Sequence, residues 1–238
     1  MESWLQVGKV RLETYFQRYR LEFDDDLVWG ELLTKPEGHD APESYFTQLS
    51  LSDQFEILEW HLRVSGRMAE SLKSTVSINV HNSLVEHEDD RRRFLEILSA
   101  TPAKVMLEFT EHYPMPEMES SNAFLREIRE LGHLSALDDF GTGHNGMSLL
   151  TDYDFDVVKI DRSLTANLLK NPERQRMMKL LFQLLDVLGK QHVVEGIESE
   201  AVHEFLVELG FNTFQGFLFH RPEPVEALLA AGSVGATQ

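Results

Sequence analysis

Two runs, Leu134-Ser135-Ala136-Leu137-Asp138-Asp139-Phe140 and Val157-Val158-Lys159-Ile160-Asp161, decide how the chain folds. Both are short, mostly apolar and β-like, and both carry charged residues near their C-terminal ends; a glycine-rich stretch, Gly141-Thr142-Gly143, follows the first. A brief apolar run bounded by turn residues reads as a strand of a buried sheet. On the N-terminal side, residues 10–19 and 27–33 read as strands joined by the acidic turn Asp24-Asp25-Asp26. Residues 52–72 follow as a helix with Phe55, Leu58, Leu62 and Met68 near one face, then 75–80 as a β-branched strand. A helix at 94–98, a strand at 104–110, a loop holding Pro114 and Pro116, and a helix at 123–131 lead into the first run. After the second run come a long amphipathic helix at 172–189, a strand at 193–194, a helix at 200–209 and a last strand at 212–214.

Strands alternating with helices predict a parallel α/β sheet, either closed as a barrel or open and doubly wound. No Ser/Pro/Gly linker divides the chain, and its 238 residues match the usual size of a (β/α)8 barrel, about 250 residues. One domain is expected over 1–238, with its core at about residues 9–231 and a small polar tail, 232–238, that frays. The 22 Lys and Arg against 40 Asp and Glu leave a charge of −18, a surface that repels nucleic acid duplexes and anionic membranes. A phosphorylated substrate would therefore need local cations, most simply bound metal ions. The absence of cysteine excludes thiol chemistry, thiolate zinc sites and disulfides. No apolar run approaches the ~18 residues of a membrane span. The start, Met1-Glu2-Ser3-Trp4, lacks a signal-peptide pattern, so a cytoplasmic location is expected.

Acidic or amide residues stand at the C-terminal end of nearly every expected strand. They are Glu31, Asn79, Glu108, the pair Asp138 and Asp139, Asp161 beside Lys159, Glu195 and Gln215. In a parallel barrel those ends converge on one face. Carboxylates gathered there repel one another unless cations neutralise them, and oxygen donors suit magnesium or manganese rather than zinc or copper. Taken singly, each would read as a helix cap or a solvated loop residue. The set carries the inference, helped by the adjacent Asp138-Asp139 and by Lys159-Ile160-Asp161, whose alternation points both charged side chains to one side. Residues 141–146 match G-x-G-x-x-G, with Asp161 about 20 residues on, as a dinucleotide fingerprint requires. The neighbouring aspartates and the late position favour a flexible loop over a metal site instead. The ten histidines form no H-E-x-x-H pair, no serine sits in a G-x-S-x-G elbow, and Arg91-Arg92-Arg93 is offset by Glu88-Asp89-Asp90 at a solvated helix start.

These segments together resemble the EAL-domain family, the bacterial phosphodiesterases of cyclic di-GMP. The resemblance is carried by Glu31-Leu32-Leu33, with Leu for the usual Ala, by Ser77-Ile78-Asn79-Val80 and by Leu107-Glu108-Phe109-Thr110-Glu111. It continues, in family order, through Asp138-Asp139-Phe140-Gly141-Thr142-Gly143, Lys159-Ile160-Asp161-Arg162-Ser163 and Glu195-Gly196-Ile197-Glu198. Gln215-Gly216-Phe217-Leu218-Phe219 with Arg221-Pro222 completes it, and Gln17 resembles the family's early glutamine. The resemblance implies a stand-alone, single-domain TIM-like (β/α)8 barrel with one early antiparallel strand and two divalent ions, magnesium or manganese. It implies that Glu31, Asn79, Glu108 and Asp138 hold one ion, and that Asp138, Asp139 and Glu195 help hold the other. Lys159 would orient the attacking water, Glu195 would be a second-metal ligand or proton acceptor, and Glu198 and Gln215 would support water and substrate. Gln17, Leu33, Lys35, Asp161, Gly216, Arg221 and Pro222 would contact cyclic di-GMP, and Glu111 with Thr110 would anchor the loop 139–148. The implied product is linear pGpG, and calcium is expected to bind without supporting turnover. A homodimer and a regulatory protein partner are also expected.

Three departures bear on substrate affinity and loop control. Lys35 stands where arginine is usual and loses the bidentate fork. Tyr45-Phe46-Thr47-Gln48-Leu49-Ser50 lacks the glutamate of the usual Ala-Glu, and His144-Asn145-Gly146 replaces Tyr-Ser-Ser. The competing readings are an EAL-like module that senses the dinucleotide or grips a protein without efficient turnover, and a nicotinamide enzyme using the glycine loop.

Overall fold

The computed structural model describes residues 4–24, 27–40, 42–110, 117–142 and 146–235. The chain begins with strands β1 (Trp4–Val7), β2 (Val10–Arg18), β3 (Arg20–Leu21) and β4 (Val28–Pro36), then helices α1 (Pro42–Phe46) and α2 (Leu51–Leu72). Strand β5 (Ser74–Asn79), helix α3 (Glu88–Ser99), β6 (Val105–Thr110), α4 (Met118–Glu130), β7 (Leu134–Phe140) and α5 (Gly146–Asp152) follow. The last third holds β8 (Val157–Ile160), α6 (Arg162–Thr165), α7 (Pro172–Val187), β9 (Gln191–Val194), α8 (Glu200–Leu209), β10 (Thr213–Phe214), β11 (Glu223–Pro224) and α9 (Val225–Gly235).

Strands β4 to β10 lie side by side in chain order, and their pairings are parallel. β2 runs antiparallel to β4, and its continuation β3, one residue further on past Tyr19, runs antiparallel to β10. One early strand thus touches both ends of the parallel array and closes it into an eight-stave barrel. Of the two architectures expected from the alternation, the barrel is the one formed, with the early strand antiparallel. β1 and β11 lie outside the closed ring, each paired to β2.

Two cores follow from the period-2 alternation of the strands. Outward-facing Leu32, Ile78, Leu107, Phe109, Ile160 and Phe214 pack with the helices in the main hydrophobic cluster. The helix expected at 52–72 is α2; its Phe55, Leu58, Leu62 and Met68 are all buried there, and a Ser50–Asp53 capping box starts it. Inside the barrel, Tyr19, Leu21, Met106, Ala136, Val157 and Val193 form a second cluster with Leu27, Trp29 and Leu134 against it. That cluster is an apolar floor. Two residues further along the parallel staves the inward positions turn polar: Glu31 after Trp29, Glu108 after Met106, Asp138 after Ala136, Lys159 after Val157 and Glu195 after Val193.

Several boundaries differ from the sequence reading. β4 runs to Pro36 rather than residue 33, because it keeps pairing with β2 as far as Leu12, so Glu31 lies within the strand and not at its end. The core starts before residue 9: β1 pairs with β2 and buries Val7. α9 runs through Gly235, and its first turns are held by buried Val225, Leu228 and Leu229. α3 starts at Glu88, and Arg92 pairs with Glu88 and Asp89, as a solvated helix start should. Asp25 and Asp26 of the expected acidic turn, Pro114 and Pro116 with the rest of residues 111–116, and residues 143–145 and 236–238 lie outside the described residues. Among the described residues no helix is long and apolar enough to cross a membrane.

Two histidines are built into the packing as neutral rings. Burial pushes both His61 and His192 down to about 4. His61 Nε2 lies 2.7 Å from Thr34 Oγ1, and His192 Nε2 accepts a hydrogen bond from Asn212 N at 3.2 Å. An unfolded chain takes up protons on these rings below about pH 6.5 while the folded chain refuses them until about pH 4, so stability falls as pH drops through that window. Each ring contributes a loss on the order of 3 kcal/mol once pH reaches its folded value. Urea midpoints measured at pH 7 and pH 4.5 should fall for the wild type, and fall less for His61→Gln; equal falls would show that the ring is not the origin.

Candidate metal centre

The polar level above the floor is organised by one ammonium group. Lys159 on β8 is 1% exposed, and its Nζ lies 2.8 Å from Glu195 Oε1, 3.0 Å from both Glu108 Oε2 and Asp138 Oδ1, and 3.3 Å from Glu31 Oε2. Four carboxylates from four staves therefore meet on one cation. Two amides complete the ring on the Glu31 side: Asn79 Nδ2 donates to Glu31 Oε1 at 2.9 Å and Gln215 Nε2 to Glu31 Oε2 at 2.9 Å. Gln215 Nε2 also reaches Gln17 Oε1 at 3.1 Å, and Gln17 Nε2 donates to the His220 carbonyl at 2.9 Å.

The charges are unbalanced. Burial opposes ionisation of Glu31, yet Lys159 and the Gln215 and Asn79 amides outweigh it and hold that carboxyl below its usual range. Glu108 goes the other way: burial, and then the neighbouring Glu31 with Asp138, drive it well above its usual range in spite of Lys159. Burial likewise raises Glu195 to about 8, opposed by Lys159 and helped by Asp138 and Glu31. Burial pulls Lys159 down, but Asp138, Glu108, Glu195 and Glu31 outweigh it and raise it well above the usual lysine range. One ammonium does not offset four carboxylates, so two of them, Glu108 and Glu195, are driven toward their protonated forms.

Asp139 joins this level by a local irregularity. In a regular strand, adjacent Asp138 and Asp139 would point to opposite faces. The β7–β8 pairing shifts register between Leu137 and Phe140, and Asp139 adopts a left-handed φ of 57°. That bulge turns the second carboxylate inward. Asp138, Asp139 and Glu195 each place a carboxylate oxygen within 4.8 Å of the others, a group able to hold a metal ion. Thr110 Oγ1 donates to Asp139 Oδ2 at 3.5 Å, and Glu111 lies outside the described residues.

The other expected site residues divide into two groups. Leu33 and Lys35 share the inward face of β4 with Glu31, Leu33 half-buried and Lys35 exposed at the mouth. Gly216 fits against the Ile197 backbone so closely that any Cβ would collide with it, which ties the turn after Gln215 to the loop after β9. Arg221 is exposed, with its guanidinium 4.5 Å above the Phe217 ring, and Pro222 lies just before β11. Two residues stand apart from the ring. Glu198 is exposed, and among the described residues it makes none of the ring's contacts. Asp161 does not continue the alternation of Lys159, because β8 stops at Ile160; its Oδ1 accepts from Ser163 N at 2.8 Å and caps α6. The sequence reading passed over Tyr19, whose hydroxyl contacts Glu108 and Ser77; its only sequence signal is the i, i+2 spacing from Gln17.

The EAL domain family model matches residues 44–222, more than half of the chain. The cyclic di-GMP phosphodiesterase RocR of Pseudomonas aeruginosa is 34% identical, over 91% of this chain and 59% of its own length. The chain thus spans less than two thirds of that relative. The phosphodiesterase MucR solved in complex with c-di-GMP has a TM-score of 0.75 at 26% identity, covering 91% of this chain and 94% of that one. Klebsiella pneumoniae BlrP1, solved with c-di-GMP and calcium or manganese, has a TM-score of 0.76 at 26% identity, covering 90% of this chain and 56% of that one.

Removing the central ammonium leaves buried carboxylates facing one another. Lys159→Met should lower the melting midpoint of the metal-free protein by about 10 °C, the effect of breaking a buried ion pair in a chain this long. Manganese should restore part of the loss. Unchanged melting curves with and without metal would contradict this account of the ring.

Proposed function

This chain belongs to the EAL domain family, and on that premise we propose that it is a metal-dependent phosphodiesterase hydrolysing cyclic di-GMP to linear pGpG. The observation that carries the reading is the ring of carboxylates and amides closed around Lys159 above an apolar floor. The donor set fits hard divalent cations: all its ligand atoms are oxygens, and its negative charge exceeds what one ammonium offsets. Glu31, Asn79, Glu108 and Asp138 would hold one ion, and Asp138, Asp139 and Glu195 the other, with magnesium or manganese expected. Paired cations of this kind supply a water of lowered pKa and offset the charge of a phosphodiester.

The chain's own residues supply the rest. Lys159, fixed by its four acidic partners, counters negative charge developing on the phosphate. Asn79 and Gln215 hold Glu31 in one orientation, with Gln17 behind Gln215, and Glu195 at the rim is the proposed proton acceptor. Lys35 at the mouth offers the phosphate a point charge rather than a planar fork. The floor seals the site from below, so substrate and water enter from the rim. The names of RocR and of the MucR complex support the substrate, and the BlrP1 complexes support divalent metal. Exposed Met177, Leu180 and Val187 along α7 support the expected homodimer.

Incubation with cyclic di-GMP and magnesium or manganese should release pGpG, followed by chromatography. Glu31→Ala and Lys159→Ala should each cut turnover by at least ~100-fold, and calcium should bind without supporting turnover. Ordinary dinucleotide binding with no turnover under either metal would reassign the chain as a sensor.

A further inference from the structure

The barrel floor contains one residue out of keeping with its neighbours. Leu21, Met106, Ala136, Val157 and Val193 present only apolar groups there, while Tyr19, 5% exposed among them, carries a hydroxyl. A phenyl ring would fill the same space, so packing does not account for the oxygen. That oxygen points out of the floor into the acidic level: Tyr19 Oη donates to Glu108 Oε1 at 3.2 Å and lies 2.9 Å from Ser77 Oγ. A tyrosine hydroxyl has a single proton; with it given to Glu108, the Tyr19 oxygen is left to accept at the Ser77 contact. The hydroxyl chain runs from Ser77 through Tyr19 to Glu108. It ties down Oε1 and leaves Oε2, 3.0 Å from Lys159 Nζ, as the oxygen facing the centre of the ring.

We propose that Tyr19, backed by Ser77, is a positioning residue for the cation site: it fixes which oxygen of Glu108, and in what direction, is offered to a divalent ion. The proposal rests on the reading of Glu108 as a cation ligand. Partners that orient a ligating carboxylate typically govern metal affinity by 10–100-fold, and here the partner comes from the antiparallel strand, which supplies none of the ring's acids.

The test is a manganese titration of the metal-free protein by calorimetry, for wild type, Tyr19→Phe and Ser77→Ala. Tyr19→Phe should bind manganese about 10–100-fold more weakly, and the metal concentration for half-maximal turnover should rise by the same factor. KM for the cyclic dinucleotide at saturating manganese should stay within about twofold, a split that general loosening of the fold would not give. Calcium binding to the wild type should perturb the near-ultraviolet absorption of tyrosine, and Tyr19→Phe should lose that change. Ser77→Ala should shift manganese affinity in the same direction by less, and it carries the test if Tyr19→Phe does not fold. Variants that bind manganese as tightly as the wild type would overturn the proposal and leave the cation site standing. A wild-type chain that binds no divalent ion would overturn both.

Discussion

Everything at the mouth of this barrel is arranged around the shortage of positive charge beside Lys159. Its ammonium contacts Glu31, Glu108, Asp138 and Glu195 at once. At such separations, and with little water to screen them, like charges cannot all remain ionised unless more cations arrive. The opposite displacements of Glu31, pulled down by its partners, and Glu108, pushed up by burial and its neighbours, are two faces of that imbalance. A site built only for stability would pair its charges one to one or replace them with apolar side chains. This one gathers four carboxylates on a single ammonium, and two of them, Glu108 and Glu195, are pushed up in consequence.

The barrel separates support from chemistry by a two-residue step. Along the parallel staves the floor residue precedes the polar residue by two positions, so the pleat that builds the interior core also aims the acids. Where the step fails, the exception brings a residue to the site. The register shift at Asp139 brings in a carboxylate that regular geometry would have sent among the helices. Tyr19 reaches from one level to the other, and Gln17, on the same strand, reaches Gln215.

Much of this was legible in the sequence because its signals are local. Short apolar runs, helix caps and the recurrence of acids at strand ends depend on a few neighbouring residues, and they point to a parallel α/β sheet with a charged edge, closed or open. Other features depend on distant partners or on a contest between local rules. Asp161 looked like a second inward charge, but the strand ends one residue earlier and the aspartate follows its preference for capping a helix. Glu31 looked like a strand end until β2 extended the pairing beyond it. In the sequence Tyr19 has no role beyond the end of a strand, since its partner Glu108 is 89 residues away. Glu198, next to a ring member in the matched segment, stays in solvent, because the backbone after β9 turns away.

The closing strand also sets the order in which the molecule is completed. Gln17 and Gln215 are 198 positions apart, and Gln17 meets the His220 carbonyl across 203. The ring is therefore closed by contacts between the first and last parts of the chain, and such remote pairings carry a high loop-closure cost. A ribosome-bound chain that has not yet extruded its final stave holds its acids without the clasp that assembles them. Truncation from either end would silence the centre before it dismantled the helices.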